Sequence, residues 1–262
     1  MVVEGPSLNY LITQSPNHLV TVVQQLFQEN KIKMASLKVL GAGPVKRGVT
    51  QLATQFEKSS GHQVTVEFIA APTVRDRVLA GEAVDVAVVP QSAMADFVAQ
   101  SRVVTATRMT VGRSRMGLAM RKGAPSPDLG SVEAFKNAVA AADGVVVNVA
   151  SSGNYIAKLL EKLGLATPGK TVTQPDTVKV MDHVAASPHH LLGAGQLPEI
   201  RELVDKGVAI VLAGPLPDEL QSITGYDAAV TTARGNAEVA AAFTVFLSIA
   251  ETCAVMAATG ID

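Results

Sequence analysis

Residues 73–89 read Thr-Val-Arg-Asp-Arg-Val-Leu-Ala-Gly-Glu-Ala-Val-Asp-Val-Ala-Val-Val. The first half spaces its apolar residues as a short helix at Thr73–Ala80, and the second runs them together as a buried strand at Val84–Val89. Upstream, Leu37–Ala42 is another short apolar strand, followed by Gly43-Pro44 and a helical pattern that sets Val45, Val49, Leu52 and Phe56 on one face. Gly61 ends that helix, and Gln63–Ile69 reads as a strand. Downstream, a helix begins near Ser92. Strands alternating with helices predict an α/β protein with a parallel sheet covered by helices.

A second section of the same kind starts near Met116–Arg121. It contains a helix at Ser131–Ala142 with Ser131 as N-cap and a buried strand at Gly144–Val149. Ser151-Ser-Gly-Asn154 then leads into a helix at Tyr155–Leu163. Residues 187–195 read as loop, Leu197–Lys206 as helix and Val208–Leu212 as strand. Tyr226–Thr231 reads as a strand, and one or two helices fill Asn236–Ala258.

Composition excludes several functions. Of 262 residues, 48% are apolar and 17% charged, which supplies a core and argues against disorder. Lys plus Arg total 22 against 23 for Asp plus Glu, so no basic field draws nucleic acid or an anionic membrane. Any anion site is therefore local. The single cysteine, Cys253, excludes an intramolecular disulfide and a multi-cysteine zinc site, and its apolar helical setting reads as a buried thiol. No HExxH, Walker or GxGxxG pattern is present, so neither a metal nor a cofactor is expected.

Residues 1–34 read as a poorly ordered N-terminal extension, with a short helix at Leu19–Phe27 as the sharper alternative. No Lys or Arg precedes Lys31, which does not fit a secretory signal. The apolar run Val239–Ala250 is too short to cross a bilayer. These features point to a cytoplasmic protein without membrane insertion, and the missing export signal argues against a transporter partner.

The chain from Leu37 onward resembles the type 2 solute-binding fold, and within it the molybdate-binding-protein-like family. The resemblance rests on the opening strand with its Gly-rich turn, on Phe56–Val64, on Val74–Val89, on Gly153–Gly164, on Gly214-Pro-Leu-Pro-Asp-Glu-Leu-Gln221 and on Ala237–Leu247. It implies two α/β lobes with a ligand cleft between them, one lobe from 35–115 plus 229–262 and the other from 116–228. The crossings are expected near Met116–Met120 and Tyr226–Thr231. In such clefts helix N-termini present free N–H groups and a positive dipole end to an anion, without any excess of basic residues.

Three helix-start loops are the candidate ligand sites. Gly41-Ala-Gly-Pro44 brings Gly43 close to a ligand; Ala70-Ala-Pro-Thr73 sets Thr73 as an N-cap with Arg75 and Arg77 after it. The third, Ser151-Ser-Gly-Asn154, supplies the hydroxyls of Ser151 and Ser152. The resemblance adds Tyr226 as a ligand tyrosine and Ser152 as a backbone donor, and Gln196 offers an amide. Relatives that hold tetrahedral oxyanions resemble each other in carrying serines in the first two loops, which here lack them. Arg47, Arg75 and Arg77 instead suit a carboxylate.

Two functions follow as expectations. One is binding of a small anion, an organic di- or tricarboxylate in preference to molybdate. The other is a cofactor-independent isomerase, because aconitate isomerase also resembles this family. A 1,3-proton shift needs an acid–base group, for which Tyr155, His189 and His190 are the candidates.

Overall fold

The computed structural model describes residues 34–262. The expected extension and the Leu19–Phe27 helix lie outside the described residues, apart from the exposed Met34. The chain forms two compact units: residues 34–112 with Gly225–Asp262, and Arg113–Thr224.

Unit 1 begins with β1 (Ser36–Ala42), a 3-10 turn, and α1 (Lys46–Ser60), which ends at Gly61 in the left-handed conformation, φ 74°. Then come β2 (Gln63–Ile69), α2 (Ala71–Leu79), β3 (Val86–Pro90), α3 (Gln91–Ala99) and β4 (Met109–Ser114). In unit 2, β5 (Met116–Arg121) precedes α4 (Val132–Ala141), whose N-cap Ser131 accepts from the Ala134 N–H. It continues through β6 (Gly144–Asn148), α5 (Ser151–Lys162), β7 (Thr171–Gln174), α6 (Thr177–Ala186), β8 (Leu191–Gln196), α7 (Leu197–Asp205) and β9 (Ile210–Pro215). The chain returns to unit 1 at the start of β10 (Thr224–Val230) and closes with α8 (Ala237–Phe246) and α9 (Ala250–Ala258).

The two sheets repeat one plan. Unit 1 has the order β2-β1-β3-β10-β4, and unit 2 the order β7-β6-β8-β5-β9. In each, three parallel strands meet one antiparallel strand: β1 pairs with β2 and β3 in parallel while β10 runs against β3, and β6 pairs with β7 and β8 in parallel while β5 runs against β8. The expected α/β class with two sheets is what the chain adopts. Parallel strands bury both faces, which is why Val86–Val89 and Val145–Val147 are continuous valine-rich runs with next to no exposure.

The unit 1 core packs α1, α8 and α9 on one sheet face, with Phe56 edge-on to Phe243 and Phe246 at 5.1 and 5.5 Å between centroids. Val74, Val78, Met94 and Phe97 cover the other face.

Several details differ from the sequence reading. Met116–Arg121 is not a crossing segment, because it is hydrogen-bonded on both sides, to β8 and β9, inside unit 2; the chain leaves unit 1 within β4. Leu191–Gln196 is a fully buried strand and not loop. Its glycines hid it: a Cβ on Gly193 would lie 2.9 Å from Val184 Cγ2, and one on Gly195 3.0 Å from Thr177 Cγ2, so close packing of α6 demands residues that weaken any strand signal. Cys253 is exposed on α9, not buried. Among the described residues no single helix is long and apolar enough to cross a membrane.

Candidate functional site

In an open α/β sheet, ligands bind outside the carboxyl ends of the strands, where the connections diverge to opposite sides. In unit 2 that point lies between β6 and β8, the strands leading into α5 and α7. Because β6, β7 and β8 are parallel, the starts of α5, α6 and α7 share one edge.

Asn148, the last residue of β6, is buried and organises this edge. Its Oδ1 accepts from the N–H groups of Ala150 at 2.9 Å and Gly153 at 3.1 Å, so it caps α5 from within the strand. Its Nδ2 donates to Thr177 Oγ1 at 3.1 Å and lies 3.2 Å from Ser152 Oγ. Two N–H donors already occupy Oδ1, so the Ser152 hydroxyl is best placed as acceptor from Nδ2, which leaves its own proton to point elsewhere. The Ser151 and Ser152 N–H groups have no hydrogen bond among the described residues. Gly153 is obligatory, because a Cβ there would stand 1.8 Å from the Asn148 carbonyl oxygen.

Thr177 passes the network on by donating to Glu199 Oε2 at 3.0 Å. Glu199, in the first turn of α7, is only partly exposed. Burial pushes its carboxyl up to about 7; the Thr177 hydroxyl opposes the shift, and Glu202 and Asp176 add to it. Exposed Val149 and Val178 flank the starts of α5 and α6, so donors and apolar surface stand side by side.

Unit 1 presents different chemistry at the matching edge. None of its three parallel-strand helices has a side-chain cap at its start, where Ala70 and Pro90 precede α2 and α3, and Val45 precedes α1. The polar group lies at the junction of β3 and β10, where Asp227 is registered with Val89. Asp227 is 1% exposed and accepts from Gln91 Nε2 at 3.0 Å and from Arg108 Nε at 2.6 Å. Arg108 is thus pinned at Nε, and its two Nη groups have no partner among the described residues. Gly225 makes room for Gln91, whose Oε1 would be 2.5 Å from a Cβ there.

The sequence candidates divide accordingly. Ser151 and Ser152 stand at the start of α5 as expected, and Gly43 lies in the turn after β1. Thr73 is not an N-cap: the helix starts at Ala71 with Ala70 as cap, since Pro72 favours the first turn, and Thr73 is exposed inside it. Arg75 is spent on Asp96 at 2.5 Å, and Arg77 on Glu67 and Glu82, so these cations brace α2. Gln196 is buried in β8, with Oε1 accepting from Ser114 Oγ at 2.5 Å and Nε2 donating to Thr224 Oγ1 at 3.3 Å. Tyr226 is 2% exposed and packs in the unit 1 core.

None of the three acid–base candidates fits. Tyr155 donates its hydroxyl to the Leu220 carbonyl at 3.0 Å. His189 and His190 precede β8, on the opposite sheet edge from the helix starts, about 20 Å away along a six-residue strand. The Asp143 carboxylate accepts the His190 backbone N–H at 2.8 Å and stands 4.0 Å from His189 Nδ1. Arg108 with Asp227, and Asn148 with Thr177 and Glu199, are not legible in the sequence, because only strand register and helix packing bring each set together. The position of Asn148, between a valine run and Ser-Ser-Gly, was the one available signal.

Residues 37–262 match the family described as bacterial extracellular solute-binding protein. Aconitate isomerase from a Pseudomonas species is 28% identical over 223 residues, 82% of this chain and 83% of that protein. The molybdate-binding protein of Azotobacter vinelandii superposes with a TM-score of 0.68 at 18% identity, covering 86% of this chain and 98% of its own. The sulfate-binding protein of Mycobacterium tuberculosis gives 0.69 at 14% identity, covering 87% and 86%. The structural likenesses establish the fold.

Proposed function

Since the chain belongs to the bacterial extracellular solute-binding protein family, we propose that it binds a small organic anion, a di- or tricarboxylate in preference to molybdate. The observation that carries this reading is the unit 2 edge. Free N–H groups and hydroxyls at Ser151 and Ser152 suit an anion, while exposed Val149 and Val178 beside them suit a carbon skeleton. A tetrahedral inorganic oxyanion has no use for the valines.

Arg108 supports the same reading from unit 1. A guanidinium fixed at Nε by a buried carboxylate presents its outer fork, which matches a carboxylate in two parallel hydrogen bonds. It replaces Arg75 and Arg77 in this role. Thermal melting against molybdate, tungstate, sulfate and a series of di- and tricarboxylates tests the proposal, because a ligand that binds only the folded state raises the melting temperature by mass action. A carboxylate is expected to give the largest shift. A shift with molybdate and none with any carboxylate overturns it.

A second reading uses the same ligand for a 1,3-proton shift on a tricarboxylate. The aconitate isomerase relative favours it, as does a carboxyl near 7 on the donor edge, since proton transfer is most effective with a group titrating near the working pH. NMR of cis- and trans-aconitate incubated with the protein distinguishes turnover from binding alone.

A further inference from the structure

We propose that Glu199 receives one carboxylate of the ligand through a shared proton, so that the organic anion and one proton bind together. The inference rests on the carboxylate reading and goes beyond it in assigning the contact and its protonation.

Geometry places the carboxyl at the site. Glu199 belongs to the first turn of α7, on the sheet edge that also holds Ser151 and Ser152 of α5 and Thr177 of α6. The chain Ser152, Asn148, Thr177, Glu199 is continuous, with links of 3.2, 3.1 and 3.0 Å. Oε2 takes the Thr177 hydroxyl, whereas Oε1 has no hydrogen-bond partner among the described residues. One oxygen is fixed and the other is left open.

The charges around it favour the protonated form. On its own helix the acting group is Glu202, itself paired with Lys206 at 2.5 Å. From α6 the acting group is Asp176; Lys179 there is turned to Asp182, and His183 to Gln174. β6 presents the neutral Asn148, and β8 presents Gln196, whose amide is taken by Ser114 and Thr224. Among the described residues no cation pairs with the carboxyl, and burial, then Glu202 and Asp176, raise it to about 7. If Glu199 served only to tie α6 to α7, a neutral glutamine would accept from Thr177 without that electrostatic cost. A carboxylic O–H does what the carboxylate cannot: it donates to an incoming carboxylate oxygen, in a short charge-assisted bond.

The test is calorimetric titration of the full chain with tricarballylate, and with cis-aconitate, in two buffers of different ionisation heat at pH 8, where both ligands are ionised. Uptake close to one proton per ligand is expected, and the affinity should fall towards tenfold per pH unit above neutrality. Glu199→Gln retains a donor amide, so it should bind with affinity independent of pH and with no proton uptake. Wild-type binding without proton exchange overturns the shared proton and leaves carboxylate binding standing. Binding of neither acid, nor of any carboxylate in the melting series, overturns the carboxylate reading and this inference with it. Should Glu199→Gln fail to fold, Glu199→Ala takes its place, with the same loss of proton uptake expected. Undiminished proton uptake in Glu199→Gln assigns the proton to another group and also overturns the proposal.

Discussion

The two units share a strand plan and differ in how they finish the same edge. Unit 1 starts α1, α2 and α3 without side-chain caps and places one ion pair, Arg108 with Asp227, at the β3–β10 junction. Unit 2 starts α5 and α6 on side-chain caps from Asn148 and Asp176 and extends them into hydroxyls and a carboxyl. One edge offers a cation and bare backbone; the other offers neutral donors, apolar surface and a proton. Fold likeness to oxyanion-binding proteins therefore does not fix the ligand, since the polar side chains at the edges decide it.

The largest expected effect breaks the unit 2 edge outright. Gly153→Ala should cost more than about 3 kcal/mol in urea melts, because its Cβ collides with backbone that cannot yield. Gly61→Ala is the control: its φ of 74° is strained for alanine but nothing lies within 4 Å, so roughly 1 kcal/mol is expected. Equal costs would show that the Asn148 cap is not rigid.

Next comes unit 1. Asp227→Ala leaves Gln91 and Arg108 without their acceptor and should cost about 2 kcal/mol of stability. Arg108→Ala leaves the buried Asp227 carboxylate without its cation, so it too should lose stability, and it should weaken carboxylate binding by about 1–3 kcal/mol. Unchanged affinity in Arg108→Ala, read by calorimetry, would remove Arg108 from the ligand-binding residues.

A smaller effect appears in pH titration of the ligand-free protein. A carboxyl raised to about 7 in the fold penalises the charged form, so stability is complete below about 4.5 and falls as pH rises through about 7. Glu199→Gln should flatten that slope in melts from pH 4.5 to 8. The smallest effect lies in the α2 brace: Arg77, then Lys38, hold Glu82 down to about 2, so its contribution is present above about 4.5 and lost as pH falls towards 2. Arg77→Ala should reduce that acid-limb slope, with Lys38 keeping part of it, while leaving ligand affinity intact.

Much of the secondary structure was legible. Val84–Val89, the helix ended by Gly61 and the Ser131 cap all correspond to elements within a few residues. The misread segments have separate causes: β8 carries glycines where α6 packs against it, and the α2 start is set by Pro72, not by a capping hydroxyl. Of the site, Ser151 and Ser152 were legible because a helix start announces itself locally. Arg108 and Asp227, 119 positions apart, were not.

The sequence by itself determined the α/β class, the alternation of strands and helices and the serine-bearing helix start, since hydrophobic period, caps and breakers act over a few neighbouring residues. Tertiary structure alone decided which arginine is free to meet a carboxylate, that the two histidines stand at the other end of β8 from the donor edge, and that Glu199 is lifted to about 7. Those properties depend on desolvation and on partners far along the chain, and the sheet register supplies both only once the strands have paired.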